Sequence, residues 1–257
     1  MTTMTESFSI AQCTRDAVVR VGGMFMTSPA MAAAARAEGL NPGVLCLRGR
    51  VGAAGALDAA AATGMLGSFA PRIVELAFRR SPQFSAGAAA TVYAGVCANW
   101  GREHLAGTAD AEPVAEQAEV VVESADVSEL PLVAGWSAWP RPRQPAARLA
   151  HALMLLRELR HGLHLAALHT HGLEMPVAVL AAANGVDRLR RLGWHRPDIN
   201  ALRRRAAATD DLAGRCDAAE NATDVAFSAC LDVIGVSEQR TLVGGLARAD
   251  EATRLVQ

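Results

Sequence analysis

The residues best equipped for chemistry sit close together. Five of the seven histidines lie between His151 and His171, interleaved with Arg157, Glu158 and Arg160. If this stretch is an α-helix, each residue advances about 100° around the axis. Arg157, His161 and His164 then share a stripe with Arg160 beside it, and Glu158 lies two turns from His151 on one face. Three chemistries fit this pattern. The groups can form a polar seam, with an Arg–Glu pair and hydrogen-bonded histidines where helices cross. They can line a pocket in which Arg157 or Arg160 holds an anionic group. They can also bind metal, since His161-x-x-His164 has ligand spacing and Glu158-x-x-His161 has the spacing of di-iron bundles. The chain has no second Glu-x-x-His, so a di-iron site is incomplete; a histidine-only zinc site using His169 or His171 is the remaining metal alternative, and no metal is expected. If the protein is an enzyme, His164 or His161 serves as general base with Glu158 as orienter or acid. On this stretch Arg157, Arg160 and two histidines face one carboxylate. That imbalance calls for an anionic ligand or for carboxylates from another helix.

The element that carries these groups reads as the longest helix, Ala146 to about His169. Leu149, Leu153, Leu156, Leu163 and Leu168 make it apolar on most sides, hence central and buried. Upstream, Ile10 to Met26 is amphipathic, and Ser28-Pro29 is an N-cap followed by proline at the first helical position. Asn41-Pro42-Gly43 reads as a turn. Helices are expected over Leu57–Met65 and Pro71–Arg80, and again from Ser81-Pro82 to about Trp100. The acidic segment from Glu112 and the Pro/Trp-rich stretch after it look different. Pro131, Pro140, Pro142 and Pro145 argue against a regular helix there. The division that follows is an N-terminal helical region 1–126, a linker 127–145 packed on the surface or over a cleft, and a C-terminal region 146–257.

Composition agrees with an all-α fold. Hydrophobic residues make up 51% of the chain and aromatics only 4%, so alanine and leucine, both strong helix formers, fill the interior. At most one hairpin is expected, near residues 208–216. The net charge of −1 excludes a globally basic nucleic-acid binder. Five cysteines without a CxxC pair point to reduced thiols and the cytosol. No signal peptide, membrane span or cofactor motif is evident.

The C-terminal half carries a second pattern. Residues 174–185, 186–194 and 197–205 read as three short helices separated by glycines, as in a helix-turn-helix. The last of them holds Arg203, Arg204 and Arg205, and Arg188, Arg190, Arg191, His195 and Arg196 lie just upstream. Other short motifs are Gly49-Arg50, Phe69-Ala70-Pro71, the Arg157-Glu158, Arg160 and His164 run, and Glu220-Asn-Ala-Thr-Asp224. In this order, the chain resembles a mostly actinobacterial family of helix-turn-helix-like proteins. Their C-terminal half is similar to the winged-helix multiple-antibiotic-resistance repressor (MarR) class. The resemblance implies a multi-helix domain with a degenerate winged-helix-like C-terminal half, and a homodimer built through the terminal helices, with Val225, Phe227, Leu231, Val233 and Ile234 as the apolar surface. Thr209 to Arg215 is too short and too poor in strand formers for a good wing, which weakens any operator contact.

The expected function is binding of a small, anionic molecule between the N-terminal helices and the long helix, with Arg50, Arg157, Arg160, Phe69 and Trp136 as ligand residues. The alternatives are acid–base catalysis by the His164, His161 and Glu158 cluster, and DNA binding through residues 186–205, weak and non-specific at best.

Overall fold

A computed structural model describes residues 4–254. Of the described residues 76% are helical, and no strand occurs among them. The hydrophobic centre is α9 (Pro145–Thr170), which packs against α7 (Ala111–Ser124), α6 (Ala86–His104), α13 (Leu212–Leu231), α1 (Met4–Val21) and α8 (Pro131–Ser137). Leu149, Leu153, Leu156 and Leu168 are all buried, as a helix apolar on most sides requires. The Gln144 side chain caps α9 by accepting from the Ala147 amide at 2.7 Å.

α1 lies against α13 and α14 (Val236–Arg254), so the two ends of the sequence meet. Its close approach to α9 requires a glycine. A Cβ on Gly22 would lie 2.8 Å from the Cβ of Arg157. Residues 7–37 contain an 18-residue window whose mean hydropathy of 1.2 is that of a weak membrane-crossing candidate. They fold instead as α1, a 3₁₀ turn and α2 (Pro29–Ala37), and Ala11, Val18 and Val21 enter the core.

Three elements depart from the sequence reading. Asn41-Pro42-Gly43 is not a turn but the start of α3 (Pro42–Gly52): the Asn41 side chain accepts from the Gly43 amide and Pro42 occupies the first turn. Pro131 likewise opens α8 rather than preventing it, because proline costs nothing where the N–H has no helical partner. Ser85, not Ser81, caps α6, accepting from Ala88 at 3.1 Å. The stretch 127–145 therefore contains a helix, and its Trp136 is fully buried. Helices from both sides of that stretch interleave in one core.

No hairpin forms near 208–216. α12 (Arg196–Ala207) runs through a short turn directly into α13. Of the residues expected to form a dimer surface, Phe227, Leu231 and Ile234 lie in the chain's own core, and only Val225 and Val233 are exposed.

α10 (Met175–Ala181), α11 (Gly185–Arg191) and α12 enclose a small core of their own, built on Val177, Val179, Leu189, Ile199 and Leu202. α10 attaches this unit to α9 and α13. α4 (Ala59–Leu66) and α5 (Pro71–Arg80) pack on α3.

Candidate functional site

The charges of α9 divide between two sides of the helix. On one side Arg50, brought from α3, grips Glu158 with both arms of its guanidinium, Nε to Oε1 at 2.9 Å and Nη2 to Oε2 at 2.7 Å. Arg157 adds a third bond to Oε1 at 2.7 Å. Burial alone would raise the Glu158 carboxyl, but the two guanidiniums overcome it and hold the group at about 2. Burial, reinforced by Arg50, lowers Arg157. Two arginines share one carboxylate here, so this corner keeps one net positive charge.

On the other side Arg160 meets Glu220 and Asp224 of α13, the latter at 3.0 Å, and Arg15 of α1 bonds the same two carboxylates. Asp224 is fully buried. Its spacing from Glu220 places both on one face of α13. His164 joins this cluster. Thr223 donates its hydroxyl to the Ala219 carbonyl, so the 3.0 Å contact with His164 must be donated by His164 Nδ1. Burial lowers the pKa of His164, while Glu220 opposes the shift.

The cations that α9 carries in excess therefore meet carboxylates from α13, a partner that the sequence pattern left open. Arg15, Glu220 and Asp224 were not expected as a set. The i, i+4 spacing of the two acids was visible, but nothing in the sequence joined them to Arg160, 60 and 64 residues away.

A cavity of about 460 Å³ opens between α4, α8 and α9. Its walls are mainly apolar, with Met65, Leu130, Leu132, Val133 and Leu165 among them; His161, Glu129, His169 and Thr170 are its polar residues, and the Glu158 side chain lies fully buried behind the wall. His161 Nε2 lies 3.0 Å from the Met65 carbonyl. A carbonyl only accepts, so Nε2 carries the proton. Burial, then Arg50, pushes this histidine down to about 3, leaving a neutral ring at the cavity.

Of the expected site residues, Glu158 and His161 line the cavity. Arg50, Arg157, Arg160, Phe69 and Trp136 do not. Phe69 packs with the α3–α5 cluster. Trp136 stacks on Tyr93 and donates its indole N–H to the Arg50 carbonyl at 2.9 Å. His164 faces α13 while His161 faces α4, so the metal-like spacing aims its two imidazoles at different neighbours. Among the described residues no three His, Cys, Asp or Glu side chains converge as metal ligands. Burial pushes the thiol of Cys46 up to about 11 and that of Cys97 higher still, so neither is an activated nucleophile.

The arginines of the C-terminal unit have a different setting. Arg188, Arg190, Arg191, Arg196, Arg203, Arg204 and Arg205 are all exposed. Arg190 pairs with Asp187 and Arg205 with Glu174. Among the described residues the other five have no carboxylate within ion-pair distance. Three short helices around a private core, the last presenting a basic face, form the arrangement of a helix-turn-helix.

No curated protein and no solved structure matches the chain. A family model described as a helix-turn-helix family matches residues 11–255, nearly the whole length, and the chain belongs to that helix-turn-helix family.

Proposed function

We propose that the protein binds a small, neutral, largely apolar molecule in the cavity between α4, α8 and α9. The observation that carries this reading is the cavity itself. Its volume lies in the range of small-molecule sites, and its apolar walls with a few convergent polar groups are what such sites share. The neutral His161 ring would orient a polar substituent. A neutral ligand fits better than the anion expected from sequence, because Arg50, Arg157 and Arg160 already face carboxylates and none reaches the cavity. Five free cysteines fit a reducing compartment, and the cytosol is the location we propose.

The test uses N-phenylnaphthylamine, a neutral dye that brightens in apolar sites. Its fluorescence should rise on binding, and Ala166→Phe, which fills the cavity from α9, should weaken binding by about tenfold or more. The anionic anilinonaphthalene sulfonate should bind less well. Equal dye affinity in the parent and Ala166→Phe overturns the proposal.

A second reading has its own observation, the exposed arginine face of α11 and α12. Together with the family match, it supports contact with DNA. Without a wing we expect only the electrostatic, sequence-independent component, with a Kd on the order of 10⁻⁴ to 10⁻⁶ M at physiological salt. Fluorescence anisotropy on a set of short duplexes checks this, and tight binding to one palindrome overturns it.

A further inference from the structure

Besides the passage from α9 into α10, a second short piece of chain, residues 64–73, joins the cavity to the helix-turn-helix unit. It holds the end of α4, a turn and the start of α5. At its upstream end Gly64 and Met65 line the cavity, and the Met65 carbonyl accepts from His161 of α9. At its downstream end it grips the turn between α11 and α12. The Ala70 amide donates to the Leu192 carbonyl at 3.0 Å. The Trp194 indole N–H donates to the Ser68 carbonyl at 2.8 Å. The Arg72 guanidinium donates to the Gly193 carbonyl. Gly193 itself, at φ +89°, sits so close to Ile73 that a Cβ there would lie 2.5 Å from its Cγ1.

Only Leu66 and Gly67 separate the cavity wall from the first of these contacts. They leave little slack. Leu66 is fully buried, the Gly67 amide closes α4 on the Thr63 carbonyl at 2.9 Å, and the Ser68 amide bonds the Leu66 carbonyl at 2.7 Å. A short, internally hydrogen-bonded segment pinned by the buried Leu66 passes a displacement along rather than absorbing it. At the far end, α12 begins two residues after Trp194, so a shift of that turn re-aims the helix carrying Arg203, Arg204 and Arg205.

We infer that residues 64–73 couple occupancy of the cavity to the position of the α11–α12 turn. The small molecule proposed above would thereby control how the arginine face is presented. The inference rests on the cavity reading for its ligand, but its mechanical content does not, and the test separates the two.

The cavity is filled by mutation instead of by ligand. A Cβ at Gly64 meets nothing within 4 Å, so Gly64→Leu adds bulk from the strap side, and Ala166→Phe adds it from α9. Two reporters are read: exchange of the Ala70 amide, and the fluorine NMR signal of Trp194 in fluorotryptophan-labelled protein, assigned with Trp194→Phe. The Leu105 amide, bonded to the Gly101 carbonyl at 2.8 Å within the bundle, is the reference. In at least one filled variant, Ala70 exchange should change by about fivefold or more relative to Leu105, the lower end of allosteric couplings, and the Trp194 signal should move. If in both variants Ala70 changes no more than Leu105 and Trp194 stays in place, the coupling is overturned, whether or not the parent binds the dye. If the filled variants move both reporters and the parent binds no dye, the coupling stands and the proposed ligand falls.

Discussion

Arg160 on α9 and Arg204 on α12 are the same residue in opposite surroundings. Arg160 is buried against Glu220 and Asp224. Arg204 is exposed, with no carboxylate within ion-pair distance among the described residues. The contrast extends to their neighbours. Around α9, four arginines and three acids interlock between helices far apart in sequence, whereas five arginines of the α10–α12 unit extend into solvent with no ionic partner among the described residues. A buried ion pair specifies which helices meet, and removing one member leaves a costly charge. A solvated arginine contributes little to stability and is available to a partner. The bundle's charges hold the fold, and the charges of the small unit are free to act outside it.

The sharpest way to break this comparison is Glu158→Gln. It leaves Arg50 and Arg157 without their shared neutraliser and should cost about 3–5 kcal/mol, read from urea unfolding. A Glu158→Gln protein that unfolds like the parent would remove the distinction between the two regions.

Acid should destabilise the bundle next. His151 is pushed down to about 4 and His161 to about 3, chiefly by burial, from an ordinary 6.5. Above pH 6.5 both rings are neutral whether the chain is folded or not, so they contribute no pH dependence. Below it the unfolded chain takes up protons that the folded chain refuses. Stability should therefore fall as pH drops from 6.5 toward 4, by up to about 1.4 kcal/mol per pH unit for each histidine. His151→Leu should flatten part of that slope, and melts at a series of pH values measure it.

Asp224→Asn should cost less, about 1.5–3 kcal/mol, since Arg160 keeps Glu220 and the Arg15 side chain is 32% exposed. The smallest effect on stability belongs to Arg203, Arg204 and Arg205 replaced together by alanine, within about 0.5 kcal/mol per site. The same triple variant should lower the salt dependence of DNA binding, by nearly one unit of log–log slope for each phosphate that an arginine no longer neutralises. A variant that binds DNA like the parent would move the DNA-facing surface elsewhere.

The sequence announces helices best where a cap or proline has one meaning. Pro71 to Arg80 was legible to the residue, and the long central helix nearly so, because proline, apolar residues and end signals agree. α3 and α8 were not: Asn-Pro-Gly spells both a turn and a capped helix start, Pro131 reads as a breaker or as a first-turn residue, and the choice depends on what packs alongside. In α7 the acidic residues suggest a solvated segment, yet Glu119 is buried beneath Arg148 and Arg141. The seam was visible because charges on an apolar helix need partners. Its partners were not, because a bond such as Arg50 to Glu158 spans 108 residues, a separation over which residue types alone carry no pairing signal. The cavity was hidden for the same reason. Two of its walls come from α4 and α8, and Trp136, expected to face a ligand, instead anchors the backbone of α3.

The meeting of α1 with α13 and α14 also has a consequence for synthesis. Arg15 bonds Asp224 across 209 residues and Arg20 bonds Asp250 across 230. A ribosome delivers the chain at about 5–20 residues per second, so α1 waits on the order of ten seconds or more for the helices that cover it. During that interval Ala11, Val18 and Val21 lack the cover of α13 and α14, and α9 is the long helix already at hand to shield them. Contacts of such long range also form slowly. The closing of the two ends thus makes the burial of α1 one of the last events in the assembly of this fold.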